Sequence, residues 1–281
     1  MTGSTSVKRL IERTIPSSGE SIPVVGCGTW QTFDVGSSPN ELEGPSSVIG
    51  ALVEGGGKLI DSSPMYGQAE RVTGEILSQS GLRGQTFLAT KVWTRGKTSG
   101  IDQMSRSFEL LQTDVIDLMQ VHNLLDWQVH LPTLKDWKAQ GRIRYLGVTH
   151  YTDSAHSDLE AAIRTGEFDF VQFNYSVADR AAEKRLLPAA KDMGVAVLVN
   201  RPFGEGALIR RLARMPLPDF ARELGAQTWP QLALQYVVSH PAVTCAIPAT
   251  SSATHMGGNM RAATQPELSS EEKSNLLAAL G

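Results

Sequence analysis

An alternation of two kinds of segment constrains the fold of this chain more than any other feature. Short apolar runs rich in β-branched residues are separated by longer stretches in which apolar residues recur every three or four positions. A continuous apolar run followed by a helical stretch is typical of a parallel strand that is buried on both faces. Eight such runs occur, at residues 24–30, 58–63, 86–93, 115–123, 143–151, 168–176, 195–203 and 243–250.

Eight strand–helix units within 281 residues favour a sheet that closes into a barrel. An open, doubly wound sheet is the alternative, and a Gly-x-Gly-x-x-Gly motif after the first strand would favour it. The chain has GCGTWQ at that place, which lacks the third glycine. We therefore predict an α/β fold of the (β/α)8 barrel type, with a single domain over residues 1–281 and the barrel core at residues 22–262.

Turn-forming residues mark the borders of these units. Pro16 and the sequence SSGES lie between two short extended runs, which predicts an N-terminal β-hairpin that caps one end of the barrel. Residues 208–228 form a long insertion after the seventh strand. Glycines precede five of the strands, and we expect each to end a helix in the left-handed conformation; they are Gly55, Gly81, Gly141, Gly166 and Gly194.

The composition excludes several classes of protein. Apolar residues make up 41% of the chain and charged residues 20%, which is typical of a folded, soluble protein. A net charge of -3 argues against nucleic acid as a partner. No apolar run approaches the ~20 residues of a membrane span, and the polar first residues do not resemble a secretory signal. We expect a cytoplasmic monomer or weak homodimer.

The two cysteines and the histidines indicate no metal site. Cys27 and Cys245 form no Cys-x-x-Cys pair, so a disulfide framework is not expected, and both lie in apolar strands as core residues. The histidines show no pair at the spacing of zinc ligands. Three of them, His130, His156 and His240, lie in or beside helices and are expected at the surface.

Ionisable residues follow three consecutive strands of the predicted barrel. Asp61, Lys91 and His122 each come at the end of an apolar run, and Tyr66 follows in the loop after Asp61. Active sites of these barrels lie at the C-terminal ends of the strands. Neighbouring strands are ~5 Å apart, so side chains from three adjacent strand ends can converge.

This combination of side chains suits a particular chemistry. The pKa of a free phenol, about 10, is too high for a good proton donor at neutral pH, and a nearby ammonium group lowers it. Asp61 would hold Lys91 in place, and His122 could donate a hydrogen bond to a carbonyl oxygen. Such an assembly protonates an oxygen that gains negative charge, as in hydride addition to a carbonyl. Side chains supply no hydride, so a nicotinamide cofactor is implied.

A metal-dependent barrel hydrolase is a rival interpretation of the same residues. Asp61 and His122 are both possible ligands of a cation. Lys91 between them would repel that cation, so we predict no metal.

Seven segments resemble the aldo-keto reductase superfamily in order and spacing, and the match runs from about Ile22 to Asn259: GCGTW, LIDSSPMYGQAE, ATKVW, DLMQVHN, GRIRYLGVTHY, FVQFNYS and IPATSSATHMGGN. The Asp-x4-Tyr-Gly element, followed by Thr-Lys-x-Trp and x-His-Asn, is specific. The resemblance implies a bacterial-type NAD(P)H-dependent carbonyl reductase that takes a hydride from NADPH and a proton from Tyr66. Lys91 and Asp61 would adjust the acidity of the Tyr66 phenol, and His122 would orient the carbonyl.

The resemblance also implies which residues hold the cofactor and a small-molecule carbonyl substrate. Phe173 and Tyr175 would flank the nicotinamide ring and the ribose together with Asn200 and Arg201. The other cofactor contacts implied are Gly28, Thr29, Trp30, Asp61, Thr149, His150, Gln172, Pro202, Phe203, Gly204, Pro248, Ala249, Thr250, Ser251, His255 and Asn259. The implied substrate pocket consists of Trp30, Trp93, Asn123 and Leu124.

Two departures from the family pattern concern the choice of cofactor. Ala249 replaces a lysine that commonly contacts the 2′-phosphate of NADP, and His255 replaces an arginine. Arg201 and Arg261 are candidates to supply the missing charge. Because the family commonly uses NADP, we predict NADP as the cofactor, with NAD as the alternative. A non-catalytic subunit of the same fold that senses the cofactor is the alternative function.

Overall fold

Ten short strands and eleven helices follow one another along the chain in a computed structural model that describes residues 10–280. Gly281 and residues 1–9, which begin the polar segment discussed above, lie outside the described residues. The strands are β1 (Glu12–Thr14), β2 (Ser21–Pro23), β3 (Cys27–Gly28), β4 (Leu59–Asp61), β5 (Phe87–Val92), β6 (Ile116–His122), β7 (Ile143–Thr149), β8 (Phe170–Asn174), β9 (Ala196–Asn200) and β10 (Cys245–Ala246).

Eight parallel strands form a closed barrel. Each strand from β3 to β10 pairs with the next one along the chain. Parallel bridges from Val25 to Ala246 and from Gly28 to Ala249 join the first strand to the last and close the circle. Each of the eight predicted runs contains one of these strands, so the predicted (β/α)8 barrel is confirmed.

The helices cover the outside of the barrel. The insertion after β9 forms two short helices, α7 (Ala207–Leu212) and α8 (Asp219–Glu223). Among residues 10–280, no helix has the length and apolar character that crossing a membrane requires. The helices are α1 (Pro39–Glu54), α2 (Ala69–Ser80), α3 (Lys97–Leu111), α4 (Trp127–Ala139), α5 (His156–Ile163), α6 (Leu186–Asp192), α7 (Ala207–Leu212), α8 (Asp219–Glu223), α9 (Trp229–Val238), α10 (Ala253–Ala262) and α11 (Ser270–Leu280).

The predicted hairpin closes the N-terminal end of the barrel. Its strands β1 and β2 pair in antiparallel fashion, and Ile15 and Ile22 pack into the apolar cluster inside the barrel. The Tyr145 hydroxyl donates to Glu20 Oε2 at 2.6 Å and lies 2.7 Å from Ser18 Oγ, which fixes the hairpin against β7. The cap is therefore confirmed, and ligands must enter from the opposite end.

Inward-facing residues change from apolar to polar along each central strand. On β5, Phe87 and Ala89 belong to the interior apolar cluster, and the next inward residue is Lys91. On β8, Phe170 is followed by Gln172 two residues later. Because side chains alternate between the faces of a strand, this change places the polar groups in one layer at the C-terminal end.

Two predictions about the placement of single residues in helices were wrong. Gly55 ends α1 in the right-handed region at φ -75°, and Gly56 takes the left-handed conformation at φ 83° because the helical turn continues one residue further than expected. His130 is buried rather than exposed, and its Nε2 lies 2.8 Å from the Thr94 carbonyl oxygen. The remaining four glycines that we expected to end helices do take positive φ values: Gly81, Gly141, Gly166 and Gly194.

The close contact between α2 and α3 gives a test of the packing. A Cβ on Gly74 of α2 would lie 2.1 Å from the Leu110 carbonyl oxygen, whereas a Cβ on Gly50 of α1 would meet nothing within 4 Å. Alanine is the better helix former by about 0.8–1 kcal/mol. We expect Gly50→Ala to raise the free energy of unfolding by up to about 1 kcal/mol, and Gly74→Ala to lower it by about 1–3 kcal/mol because the clash is with backbone. Urea unfolding checks both, and equal effects of the same sign would contradict this packing.

Candidate active site

A buried ion pair lies at the C-terminal end of the barrel. The Lys91 ammonium on β5 donates to Asp61 Oδ2 on β4 at 2.6 Å and to the Ser62 carbonyl oxygen at 2.6 Å. The Lys91 side chain is fully buried, and that of Asp61 is 3% exposed. The Lys91 nitrogen also lies 4.9 Å from the centre of the Tyr66 ring. The fold thus brings together the three residues that the sequence placed after β4 and at the end of β5.

Two glutamines complete the surroundings of Asp61. Its Oδ1 accepts hydrogen bonds from Gln120 Nε2 at 2.9 Å and from Gln172 Nε2 at 3.1 Å. Gln172 Nε2 also donates to Gln120 Oε1 at 3.0 Å. Sequence reasoning missed Gln120. Its signal was a polar residue two positions before His122 in the same run, a spacing that puts both on the same face of the strand.

Burial and charge act in opposite directions on Lys91 and Tyr66. Burial alone would lower the pKa of the Lys91 ammonium, but the Asp61 carboxylate and the Tyr66 hydroxyl outweigh it, and the pKa is raised. Burial raises the pKa of the Tyr66 phenol, and the nearby Lys91 charge only partly offsets this rise. Lys91 thus lowers the pKa of Tyr66 as expected, but burial is the larger cause, and the pKa is raised overall.

A tight turn delivers Tyr66 to this site. Ser63, Pro64, Met65 and Tyr66 follow β4 after one intervening residue, Ser62, and the Tyr66 amide donates to the Ser63 carbonyl oxygen at 3.0 Å. Proline at the second position of a turn presets the backbone angle that such a turn needs. The phenol is therefore held by local backbone geometry next to the strand that carries Asp61.

His122, the last residue of β6, faces the same space. Its ring lies 5.8 Å from the Tyr66 ring in an edge-to-face arrangement and 6.3 Å from the Trp93 ring. Burial, with a smaller contribution from the Lys91 charge, lowers the pKa of His122 to about 2. The imidazole is therefore neutral at physiological pH, and it can donate one hydrogen bond without carrying a charge.

The residues implied for the nicotinamide lie at the ends of β7, β8 and β9. Gln172 Oε1 accepts from Asn200 Nδ2 at 3.3 Å and from Thr149 Oγ1 at 3.4 Å. Asn200 Nδ2 also donates to the His150 carbonyl oxygen at 3.0 Å. A chain of hydrogen bonds therefore connects these strand ends to Asp61 through Gln172.

Phe173 and Tyr175 are not part of this site. Both are buried in the apolar layer between the sheet and the helices, where the Phe173 ring lies 5.8 Å from the His156 ring and the Tyr175 hydroxyl donates to Glu183 at 2.7 Å. Our expectation that they flank a nicotinamide was wrong. The reason is strand alternation, because Gln172 points into the barrel and its neighbour Phe173 must point outward.

The first strand supports the candidate site from the other side. Thr29 is fully buried, and its Oγ1 lies 3.1 Å from the Asp61 carbonyl oxygen and 3.0 Å from Ser62 Oγ. The preceding residue, Gly28, approaches β10 so closely that a Cβ would lie 2.9 Å from the Ile247 carbonyl oxygen. Trp30, which follows, is partly buried at the end of this strand.

The loop after β9 carries a paired cation. Arg201 Nη2 lies 2.6 Å from Glu205 Oε1, and its guanidinium lies 4.3 Å from the centre of the exposed Tyr151 ring. Arg201, Gly204 and Glu205 all have φ values between 51° and 54°. The intervening residues are a buried Pro202 and a partly buried Phe203. Arg201 was a candidate cation for the 2′-phosphate of NADP, but its charge is already paired with that of Glu205.

The N-terminus of α10 lies beside the first strand. Ser252 Oγ accepts from the His255 amide at 3.3 Å, which leaves the amides of Ala253 and Thr254 in the first helical turn as donors for an anion. Of the residues implied for the adenosine end, Asn259 and Pro248 are buried, Thr250 is partly buried, and Ala249, Ser251 and His255 are exposed.

Three of the residues implied for the substrate come directly after the ends of β5 and β6. Trp93 is 40% exposed, and Asn123 and Leu124 take left-handed conformations in the loop directly after His122. Within residues 10–280, the structure shows no group of three or more acidic, histidine or cysteine side chains that could hold a metal ion. The geometry therefore places an acid (Tyr66), a cation (Lys91) and a neutral donor (His122) close together at one end of the barrel.

Comparison with known proteins agrees with this geometry. The model of the Aldo/keto reductase family matches residues 24–280. The chain is 30% identical to methylglyoxal reductase YeaE of Escherichia coli K12, over 93% of this chain and 92% of that protein. It is 29% identical to an NADH-specific methylglyoxal reductase of the same organism, over 70% of this chain and 69% of the relative.

Solved structures show the same fold. An aldo/keto reductase from Klebsiella pneumoniae in complex with NADP and acetate has a TM-score of 0.80 and 28% identity, and the match covers 93% of this chain and 92% of the other. A second aldo-keto reductase from that organism, in complex with NADPH, has a TM-score of 0.81 and 27% identity over 96% and 95% of the two chains. These matches confirm the predicted resemblance and the oxidoreductase class: the chain belongs to the aldo/keto reductase family.

Proposed function

We propose that this chain reduces aldehyde or ketone carbonyl groups, or oxidises the corresponding alcohols, with NADPH as the hydride donor and Tyr66 as the proton donor. The observation that carries the proposal is the fully buried Lys91 ammonium, which lies between Asp61 and the Tyr66 ring. Relatives named as methylglyoxal reductases support a small carbonyl compound as the substrate. We further propose that it acts as a single cytoplasmic domain, as a monomer or weak homodimer.

The described residues fit a nicotinamide cofactor. The buried Asn200 Oδ1 has no hydrogen-bond partner within residues 10–280. Asn200 lies at the strand ends where the family places the nicotinamide carboxamide. The N–H bonds of that carboxamide could donate to Oδ1. The first-turn amides of α10 suit a phosphate. Bound NADPH would supply the hydride. The structures from Klebsiella pneumoniae with NADP and NADPH support this choice.

Each side chain of the site then has a defined role in the reduction. The hydroxyl of Tyr66 carries its proton at neutral pH and can donate it to the substrate oxygen, although burial, which raises its pKa, makes that proton harder to release. The attraction between the Lys91 ammonium and the Tyr66 oxygen grows as the phenol loses its proton. Lys91 therefore stabilises the transition state more than the ground state. Asp61 holds Lys91 in position, and neutral His122 donates a hydrogen bond to the same oxygen.

Specificity for NADP would have to come from few groups. The exposed Ala249 and His255 stand where the family has cations, and Glu205 already pairs with Arg201. The amides of Ala253 and Thr254 can bind either a 2′-phosphate or water. We therefore propose that NADPH is used but discriminated from NADH less sharply than in relatives that keep both cations, and NADH remains a second candidate cofactor.

The substitution Tyr66→Phe tests the role of the phenol. It removes the acidic hydrogen and keeps the ring, so we expect kcat for carbonyl reduction to fall by roughly 10²–10⁴-fold with the dissociation constant for NADPH unchanged. Steady-state kinetics and a fluorescence titration measure the two quantities. Full activity in this variant would contradict the proposal. Wild-type protein that binds NADPH but turns over no carbonyl compound would favour the alternative of a cofactor-sensing subunit.

A pair of substitutions tests the phosphate site. The double variant Ala249→Lys/His255→Arg restores the two missing cations, and a hydrogen bond to a charged group contributes about 1.5–3 kcal/mol. We expect NADPH to bind at least about ten-fold more tightly and NADH to bind as before, in parallel fluorescence titrations. An equal gain for both cofactors would show that neither position faces the 2′-phosphate.

A further inference from the structure

Ser63 is a buried serine with two hydrogen-bonding contacts next to the candidate site. It has no exposed surface, and its Oγ lies 3.1 Å from Nδ1 of His122. The amide of Met65 donates to the same oxygen at 3.3 Å. Neither the family resemblance nor the chemistry of the other side chains required a hydroxyl at this position.

The possible proton positions in this contact can be counted. A neutral imidazole has one N–H, and a hydroxyl has one hydrogen to donate. If Nδ1 of His122 carried the hydrogen and donated it to Ser63, the buried serine hydrogen would have no acceptor among residues 10–280, and such unsatisfied groups are rare. If the serine donates to Nδ1, both groups are satisfied and the imidazole hydrogen lies on Nε2.

The protonation of Nε2, the second ring nitrogen, then determines whether His122 can donate a hydrogen bond to a substrate. Within residues 10–280, the only hydrogen-bonding contact of the His122 ring is that of Nδ1 with Ser63, so Nε2 has no partner there, and the Tyr66 and Trp93 rings lie near the imidazole. A hydrogen on Nε2 is a donor for a substrate oxygen. A hydrogen on Nδ1 would leave a lone pair facing that oxygen, which repels it. Activity therefore depends on which tautomer is present.

We propose that Ser63 is a positioning residue that selects the Nε2–H tautomer of His122 and so prepares it to donate to the substrate carbonyl. The proposal rests on the proposed carbonyl reduction. Ser63 also holds Tyr66, because its carbonyl oxygen accepts from the Tyr66 amide at 3.0 Å. One residue thus places both groups that would contact the substrate oxygen, one through its side chain and one through its backbone.

The tautomer can be measured without turnover. In protein labelled with ¹⁵N-histidine, a two-bond ¹H–¹⁵N spectrum distinguishes protonated from unprotonated ring nitrogens for the six histidines of the chain. The signals of His122 are identified by their loss in His122→Gln. We expect His122 to show a protonated Nε2 and an unprotonated Nδ1 at neutral pH. A protonated Nδ1 in the wild-type protein would overturn the proposal.

Substitution of the serine tests the cause. In Ser63→Ala the backbone that holds Tyr66 is kept, but Nδ1 loses its donor. We expect the His122 signals to shift toward the Nδ1–H form and kcat to fall roughly ten-fold, with a smaller change in KM and unchanged NADPH affinity. Ser63→Thr, which keeps a hydroxyl, should restore the wild-type tautomer.

Ser239→Ala is the matched control. Ser239 is also a buried serine with one donated and one accepted hydrogen bond, to the Gln235 carbonyl oxygen at 2.6 Å and from the Leu268 amide at 2.8 Å, but it contacts none of the site residues. This variant should lose thermal stability and keep the tautomer and kcat. If Ser63→Ala behaves in the same way, the serine is only structural and the proposal fails. Because the spectrum needs no turnover, a failure of the carbonyl reduction itself would be seen separately.

Discussion

The ion pair between Lys91 and Asp61 is the interaction on which the candidate site depends. A charge in such a buried position costs several kcal/mol unless it is paired and hydrogen-bonded. Here the carboxylate is bound by Lys91, Gln120 and Gln172, and the ammonium is bound by Asp61 and the Ser62 carbonyl oxygen. The donors and acceptors come from three strands besides β4. The barrel satisfies this charge pair because it brings the C-terminal ends of its strands to one place.

Burial makes the Lys91–Asp61 ion pair costly in free energy, and it also strengthens the effect of the Lys91 charge on the pKa of Tyr66. In a region with little water, the phenol resists losing its proton, and the ammonium beside it favours the charged product of that loss. The phenol is thus held in the protonated form while a stabilising charge is already in place for the phenolate. His122 stays neutral for the same two reasons, burial and the Lys91 charge, and so it donates a hydrogen bond without competing as an acid.

Much of this arrangement could be predicted from the sequence because it follows from periodicity. The apolar runs fixed the number of strands, and the polar residue at the end of each run identified Asp61, Lys91 and His122. The contacts that sequence reasoning missed depend on packing between distant segments. Gln120 and Ser63 act through partners 59 residues away, and nothing local in the chain reveals those contacts. The same holds for the burial of His130 against the Thr94 carbonyl oxygen.

The central claim is that the Lys91 ammonium favours the phenolate form of Tyr66, and a titration of that phenol tests it most directly. Protein labelled with ¹³C at the tyrosine Cζ is titrated by NMR in the wild-type chain and in Lys91→Met, and the Tyr66 signal is identified by its loss in Tyr66→Phe. Since Lys91 lowers the pKa of Tyr66 against the effect of burial, the account predicts a higher titration midpoint in Lys91→Met than in the wild type. A midpoint that stays the same or falls would contradict it.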